Sequence, residues 1–196
     1  MSSASGAEAA DPLMAFPFIG GRPCLDFAAT LGKRHTVRLE RLPGAGDLAR
    51  WIGEAGLAAG EPVRVTGRDL AAALVLREAV YRLLMAAMAG RRPDPDDVVR
   101  VNEAAARTDL APQLTPDGLG WQAAHPGPAA LATVARDAVL LIGGPLIARV
   151  KECESPECSL LFLDDSQARR RRWCSMERCG NLAKIAGYRS RTRVKS

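Results

Sequence analysis

Four cysteines in the last quarter of the chain form two pairs, Cys153/Cys158 and Cys174/Cys179, with four residues inside each pair and fifteen between the pairs. This spacing constrains the fold more than any apolar pattern. Two tight turns, each holding two thiolates, can bring sulfurs from distant segments onto one tetrahedral Zn²⁺. Pro156 lies inside the first turn and Gly180 just after the second, where turn geometry is wanted. With every position filled by sulfur there is no open site for a substrate, so the cofactor expected is one structural zinc ion. Four thiols in an apolar core and two disulfides are the competing arrangements. The polar, charged sequence around these cysteines disfavours the first, and a reducing compartment disfavours the second. Leu160, Leu161, Phe162, Leu163 and Trp173 are the apolar mass of this segment. They are too few to fold roughly 30 residues by burial alone, so metal binding supplies the missing free energy.

The net charge of +5 is unevenly placed. Residues 151–196 hold eleven lysines and arginines against six acids, whereas residues 1–150 hold sixteen of each. Such asymmetry points to a polyanionic partner for the C-terminal end alone. No basic flank precedes an apolar stretch at the start, and the longest apolar stretch, residues 138–148, is interrupted by Gly143, Gly144 and Pro145. A soluble, cytoplasmic protein without membrane contact is therefore expected.

Upstream of the cysteines helical periodicity dominates, giving a mostly α fold with one small β-hairpin. Residues 68–89 read as the longest helix, with Leu70, Leu74, Tyr81, Leu84 and Met88 on one stripe, Arg77 interrupting it and Gly90 as the stop. A second helix is expected over 95–108, capped by Asp94 with Asp96 and Asp97 in its first turn. Shorter helices are expected at 23–31 and 47–58. A hairpin is expected around the Pro116-Asp117-Gly118 turn, and a further helix runs from Pro128 to Ile142. The Gly143-Gly144-Pro145 kink separates a helical domain at 16–149 from a zinc finger with a basic tail at 150–196. Residues 1–15 are expected to be a disordered N-terminus, since the stretch to Asp11 has no aromatic or β-branched residue.

The stretch 153–184 closely resembles the CGNR zinc finger, a bacterial module, through Phe162-Leu163-Asp164-x-Ser166, the Arg171–Met176 run and Cys179-Gly180-Asn181. The family's closing arginine is replaced here by Leu182. Upstream, Cys24-Leu25-Asp26-Phe27-x-x-Thr30, Leu76–Ala79 and Asn102 resemble the ABATE domain that usually precedes this finger, over about residues 16–150. Ala29 stands where that family usually has asparagine. The resemblance implies a stress-related transcription regulator with a ligand-binding N-terminal domain.

The function expected is therefore a ligand-responsive transcription regulator that binds DNA, with no enzymatic activity. Arg169, Arg170, Arg171, Arg172, Arg178, Lys184, Arg189, Arg191, Arg193 and Lys195 supply phosphate contacts, and an arginine or Asn181 reads a base edge. Asp26, Thr30, Trp51, Arg77 and Asn102 are the candidates for a small-molecule site in the helical domain, being polar or amphipathic groups at positions that otherwise face a core. Arg77 is equally well explained as the partner of a buried carboxylate such as Asp26. A second reading makes the finger a protein- or RNA-interaction module. A third imagines a thiol site from Cys24, Asp26 and His35, although nothing in the sequence fixes His35 near the sulfur. A homodimer is left open.

Overall fold

A computed structural model describes residues 12–58, 63–182 and 184–185. The elements run α1 (Pro23–Ala28), β1 (Leu31–Gly32), β2 (Leu39–Glu40), α2 (Ala45–Glu54), α3 (Gly67–Met88), α4 (Pro95–Ala105), β3 (Ala111–Thr115), β4 (Gly118–Gln122), α5 (Pro126–Ile142), β5 (Val150–Glu152) and β6 (Leu161–Leu163). Pro12–Met14 form a 3-10 turn, so described order begins inside the stretch assigned to a disordered terminus. A second 3-10 turn, Pro145–Arg149, follows the Gly143-Gly144 bend. The strands pair two by two, all antiparallel: β1 with β2, β3 with β4, β5 with β6.

The long helix α3 is the axis on which α1, α2, α4 and α5 pack. Its start is set by Thr66, whose hydroxyl accepts from Asp69 N while Thr66 N donates to the Asp69 carboxylate. Gly90, at φ +61°, ends it in the left-handed conformation that a glycine adopts at least cost. Its buried face is centred on Ala73, Leu76, Arg77, Val80, Leu83 and Leu84, while Leu70, Leu74, Tyr81 and Met88 flank that face half-buried. The predicted stripe thus lies on the correct side of the helix but toward one edge of the buried face. The reason is that α1 and α5 cover the alanine side as well. Asp94 caps α4 as predicted, accepting from Asp96 N and Asp97 N. Asp97 is more than a first-turn charge, since it is buried and takes a two-pronged bond from Arg82 at 2.7 and 2.6 Å.

The β3–β4 hairpin turns where expected, but it stands outside the core. Leu114 and Leu119 are 95% and 71% exposed. Trp121 fastens it by donating Nε1–H to Gly56 O at 2.7 Å.

The boundary at Gly143-Gly144-Pro145 does not divide two cores. Val150, Leu161 and Leu163 of the β5–β6 hairpin belong to the same apolar cluster as Trp51, Val80 and Leu141. Leu163 N donates to Gly20 O at 2.8 Å, tying β6 to the segment before α1. At Gly21, φ is +81° and a Cβ would sit 3.6 Å from that of Leu163, so the chain turns here directly against the hairpin. Across the same seam Arg34 N donates to Ser159 Oγ at 2.9 Å and His35 meets Glu152 at 2.6 Å. No described helix is long and apolar enough to cross a membrane.

Candidate metal centre and basic surface

The four cysteines predicted as ligands converge. The sulfurs of Cys153, Cys158, Cys174 and Cys179 all lie within 4.8 Å of one another. Cys174 Sγ is 3.8 Å from that of Cys158 and 3.5 Å from that of Cys179. A tetrahedron with Zn–S bonds of about 2.3 Å has S···S edges of about 3.8 Å, so the cluster fits one zinc ion. The β5–β6 hairpin delivers the first pair, with Cys153 N donating to Leu160 O at 2.9 Å across its open end. Of the second pair, Cys179 rides on a π-helical turn, Met176–Gly180, started by Ser175, whose hydroxyl accepts from Arg178 N, and Cys174 stands just before that cap. A side chain at Gly180 would come within 2.5 Å of Met176 Sδ, which explains the glycine after the last ligand.

The chemistry of the donor set points the same way. Cys174 N donates to Cys153 Sγ at 3.3 Å, a bond that favours thiolate. Hydrogen bonding from Cys174 holds Cys158 down at about 5. The same contact pushes Cys174 well up, and burial raises Cys179 to about 11. Cys158 ionises easily while Cys174 and Cys179 resist, and a bound cation would favour thiolate at both. Zinc bound here would organise the finger, with no ligand position left for a reaction.

Phe162, Leu160 and Ala29 pack around the sulfurs. Asp164, fully buried, links the hairpin to the arginine run. It accepts from Lys151 Nζ at 2.6 Å, Ser166 Oγ at 2.5 Å, Ser166 N at 3.1 Å and Arg171 N at 3.0 Å. These bonds, the one from Lys151 foremost, hold its carboxyl well below the usual carboxylate range. In the sequence Asp164 and Ser166 stand out only as motif letters, Asp164 being the first of two acids that close the apolar run 160–163.

The predicted nucleic-acid residues differ in exposure and in partners. Arg169 and Arg170 are exposed; Arg169 sits at φ +49° with its carbonyl held by Lys151 Nζ at 2.7 Å. Arg178, Asn181 and Lys184 are exposed on the last turn. Arg172 is exposed and paired to Glu154 at 2.6 Å. Arg171 is turned inward, in contrast to its expected phosphate role. Its guanidinium lies 4.4 Å over the Phe162 ring and donates to the carbonyls of Trp173 and Cys174. Arg189, Arg191, Arg193 and Lys195 lie outside the described residues.

Of the five candidates for a small-molecule site, Thr30 and Arg77 are in contact, whereas Asp26, Trp51 and Asn102 make no hydrogen bond to them. Arg77, 3% exposed, gives Glu40 a two-pronged bond at 2.7 Å on each arm, and also reaches Thr30 Oγ1 at 3.2 Å and Glu78 at 3.0 Å. Its partner is therefore Glu40, not Asp26, and the Arg77 pair holds the Glu40 carboxyl below its ordinary value against the opposing effect of burial. Asp26 accepts from Gly20 N at 2.8 Å, and burial raises it to about 6. Trp51 is wholly buried against Phe27, and Asn102 is exposed on α4. Cys24 is wholly buried beside Asp137, its thiol pushed up by burial, while His35 faces Glu152 instead.

Comparison with family models matches residues 21–145 to ABATE, described as "Putative stress-induced transcription regulator", and residues 149–192 to the CGNR zinc finger. No curated protein matches the chain. The helical fold, the four-sulfur cluster and both matches agree, and the chain belongs to the ABATE family, with a CGNR zinc finger following the helical domain.

Proposed function

We propose that this protein is a ligand-responsive transcription regulator that acts in the cytoplasm and binds duplex DNA through the basic face of its zinc-ordered finger. The observation that carries the reading is the arginine turn. Lys151 and Asp164 fix the backbone of 164–171, and Arg169 and Arg170 extend from it exposed and without a carboxylate partner among the described residues. Arg172 can exchange Glu154 for a phosphate at little cost, because an exposed ion pair contributes at most about 1 kcal/mol. With Arg178 and Lys184, roughly five phosphate contacts are available, so log affinity should fall with log salt at a slope of about −4.5.

The ligand-responsive half of the reading draws support from a groove of about 420 Å³ between α3, α4 and α5. Its lining is apolar at Val75, Leu76 and Leu131 and carries Arg68, Arg100 and Arg107 against Asp69 and Glu103, an excess of one positive charge. That combination suits a small anionic amphiphile. The test of both halves is one titration of duplex DNA at several salt concentrations, without and with a fatty carboxylate. Arg169→Ala with Arg170→Ala should flatten the slope by about 2 and weaken every sequence alike. Absence of duplex binding at low salt with zinc loaded excludes the DNA reading. Duplex affinity unmoved by a carboxylate that binds the groove excludes the coupling, since linkage is reciprocal.

A further inference from the structure

Cys158 differs from the other three ligands in its surroundings. It is half-buried, whereas Cys153, Cys174 and Cys179 are buried. It lies with Cys179 on the wall of a second groove, about 360 Å³, between the helical domain and the finger, and of these two sulfur residues Cys158 is the less buried. Lys33 and Arg41 line this groove from one side, and Arg178 lines it from the other. Arg41 is 4% exposed, donates to the carbonyls of Leu13 and Ala29, and pairs with no carboxylate among the described residues. Glu157, 3.6 Å from Lys33, is the acid at the same rim. A sulfur that coordination keeps as thiolate, partly open and bordered by cations, has the setting of a reactive cysteine.

We propose that Cys158 is an oxidant-reactive zinc ligand through which hydroperoxides release the metal. Cys158 Sγ attacks the nearer peroxide oxygen and the O–O bond breaks. The departing hydroxide or alkoxide takes a proton from water, and the sulfur becomes a sulfenic acid. The guanidinium groups of Arg41 and Arg178 stabilise the negative charge that develops on the leaving oxygen. Cys174 Sγ, 3.8 Å away, then attacks the oxidised sulfur; the S–O bond breaks, hydroxide leaves, and a disulfide forms. The two thiolates have lost two electrons and the peroxide has gained them. Closing the sulfurs to about 2.05 Å withdraws two of the four ligands from the metal. Because the hairpin bearing Cys153 and Cys158 is rooted in the helical core, this loss reaches the whole chain. The inference stands independently of duplex binding.

The test uses the zinc-loaded full chain, hydrogen peroxide, a sulfenic-acid trap with peptide mass mapping, and a zinc indicator. The first adduct should fall on Cys158. Without the trap, about one zinc per chain should appear in step with a Cys158–Cys174 disulfide. Arg178→Gln should slow zinc release about five-fold, while Arg92→Gln, exposed and outside both grooves, leaves it unchanged. Mapping is done on the unmutated cysteines, so it does not depend on a ligand variant folding. A first adduct on Cys24, Cys153, Cys174 or Cys179, or zinc retained while peroxide is consumed, overturns the proposal.

Discussion

Around Trp51 the molecule is built by apolar side chains meeting one another, and around Cys174 it is built by polar groups meeting sulfur and backbone. Trp51 packs its ring on Phe27, and neighbours such as Leu48, Ile52 and Leu84 are almost wholly excluded from water. In the finger the corresponding positions are taken by four sulfurs, by Asp164 with its four donors and by Arg171 stacked on Phe162. The first arrangement needs only the right volume. The second needs each polar partner present, because an unpaired buried charge costs more than the pair returns. The two are joined through Leu161 and Leu163, which face the helical cluster while Phe162 between them faces the sulfurs. Strand alternation thus makes one three-residue strand the wall of both regions.

The largest effect expected concerns that shared strand. Chelating the zinc, or Cys174→Ser, should abolish order in the finger and also lower the melting temperature of the helical domain by roughly 10 °C, since burial contributes about 1.5–3 kcal/mol for each of Leu161 and Leu163. Calorimetry with and without chelator, with hydrogen exchange on α3, measures both. A helical domain that melts unchanged would restore the two-core organisation suggested by the Gly143-Gly144-Pro145 bend.

A smaller effect should come from the one place where the helical domain behaves like the finger. Arg77→Ala leaves Glu40 without its cation, while Glu78 keeps Arg34 at 2.8 Å, and should cost about 3 kcal/mol. Arg77→Met combined with Glu40→Gln should recover much of this in urea unfolding. A double variant as unstable as the single one would mean that Arg77 serves packing alone.

The smallest effect is a pH signature. The Asp26 carboxyl is raised from 3.8 to about 6 by burial, so its contribution favours the fold below pH 4 and is lost as pH rises through about 6. Asp26→Asn keeps an acceptor for Gly20 N and should stabilise the chain by about 1–2 kcal/mol at pH 7.5, with little change at pH 4. Equal gains at both pH values would show that ionisation of Asp26 is not what limits stability there.

Much of this is legible in the sequence, and the parts that are not share a cause. The zinc ligands are readable because spacing alone brings them together, and α3 and α4 because capping residues and a 3.6-residue repeat are local signals. The two-residue strands β1 and β2 carry no such signal, being held by pairing and by their position beside α1. The partner of Arg77 is legible only as a type, a buried carboxylate. The choice of Glu40 over Asp26 depends on β2 running next to α3, which is tertiary. The same holds for the four arginines at 169–172, identical in sequence. Arg171 alone is drawn inward, by two carbonyls and an aromatic ring that only folding brings near it. Of the five small-molecule candidates, Thr30 and Arg77 bond to each other, which their spacing in the sequence does not show.

The bond from Leu163 N to Gly20 O joins residues about 140 positions apart. At synthesis rates of about 5–20 residues per second, the segment before α1 leaves the ribosome roughly seven to thirty seconds before its strand partner does. During that interval the surface of α1 destined for β6 stays open to chaperones and proteases. The metal-binding segment emerges together with that missing strand, so the supply of zinc to the nascent chain coincides with closure of its oldest part.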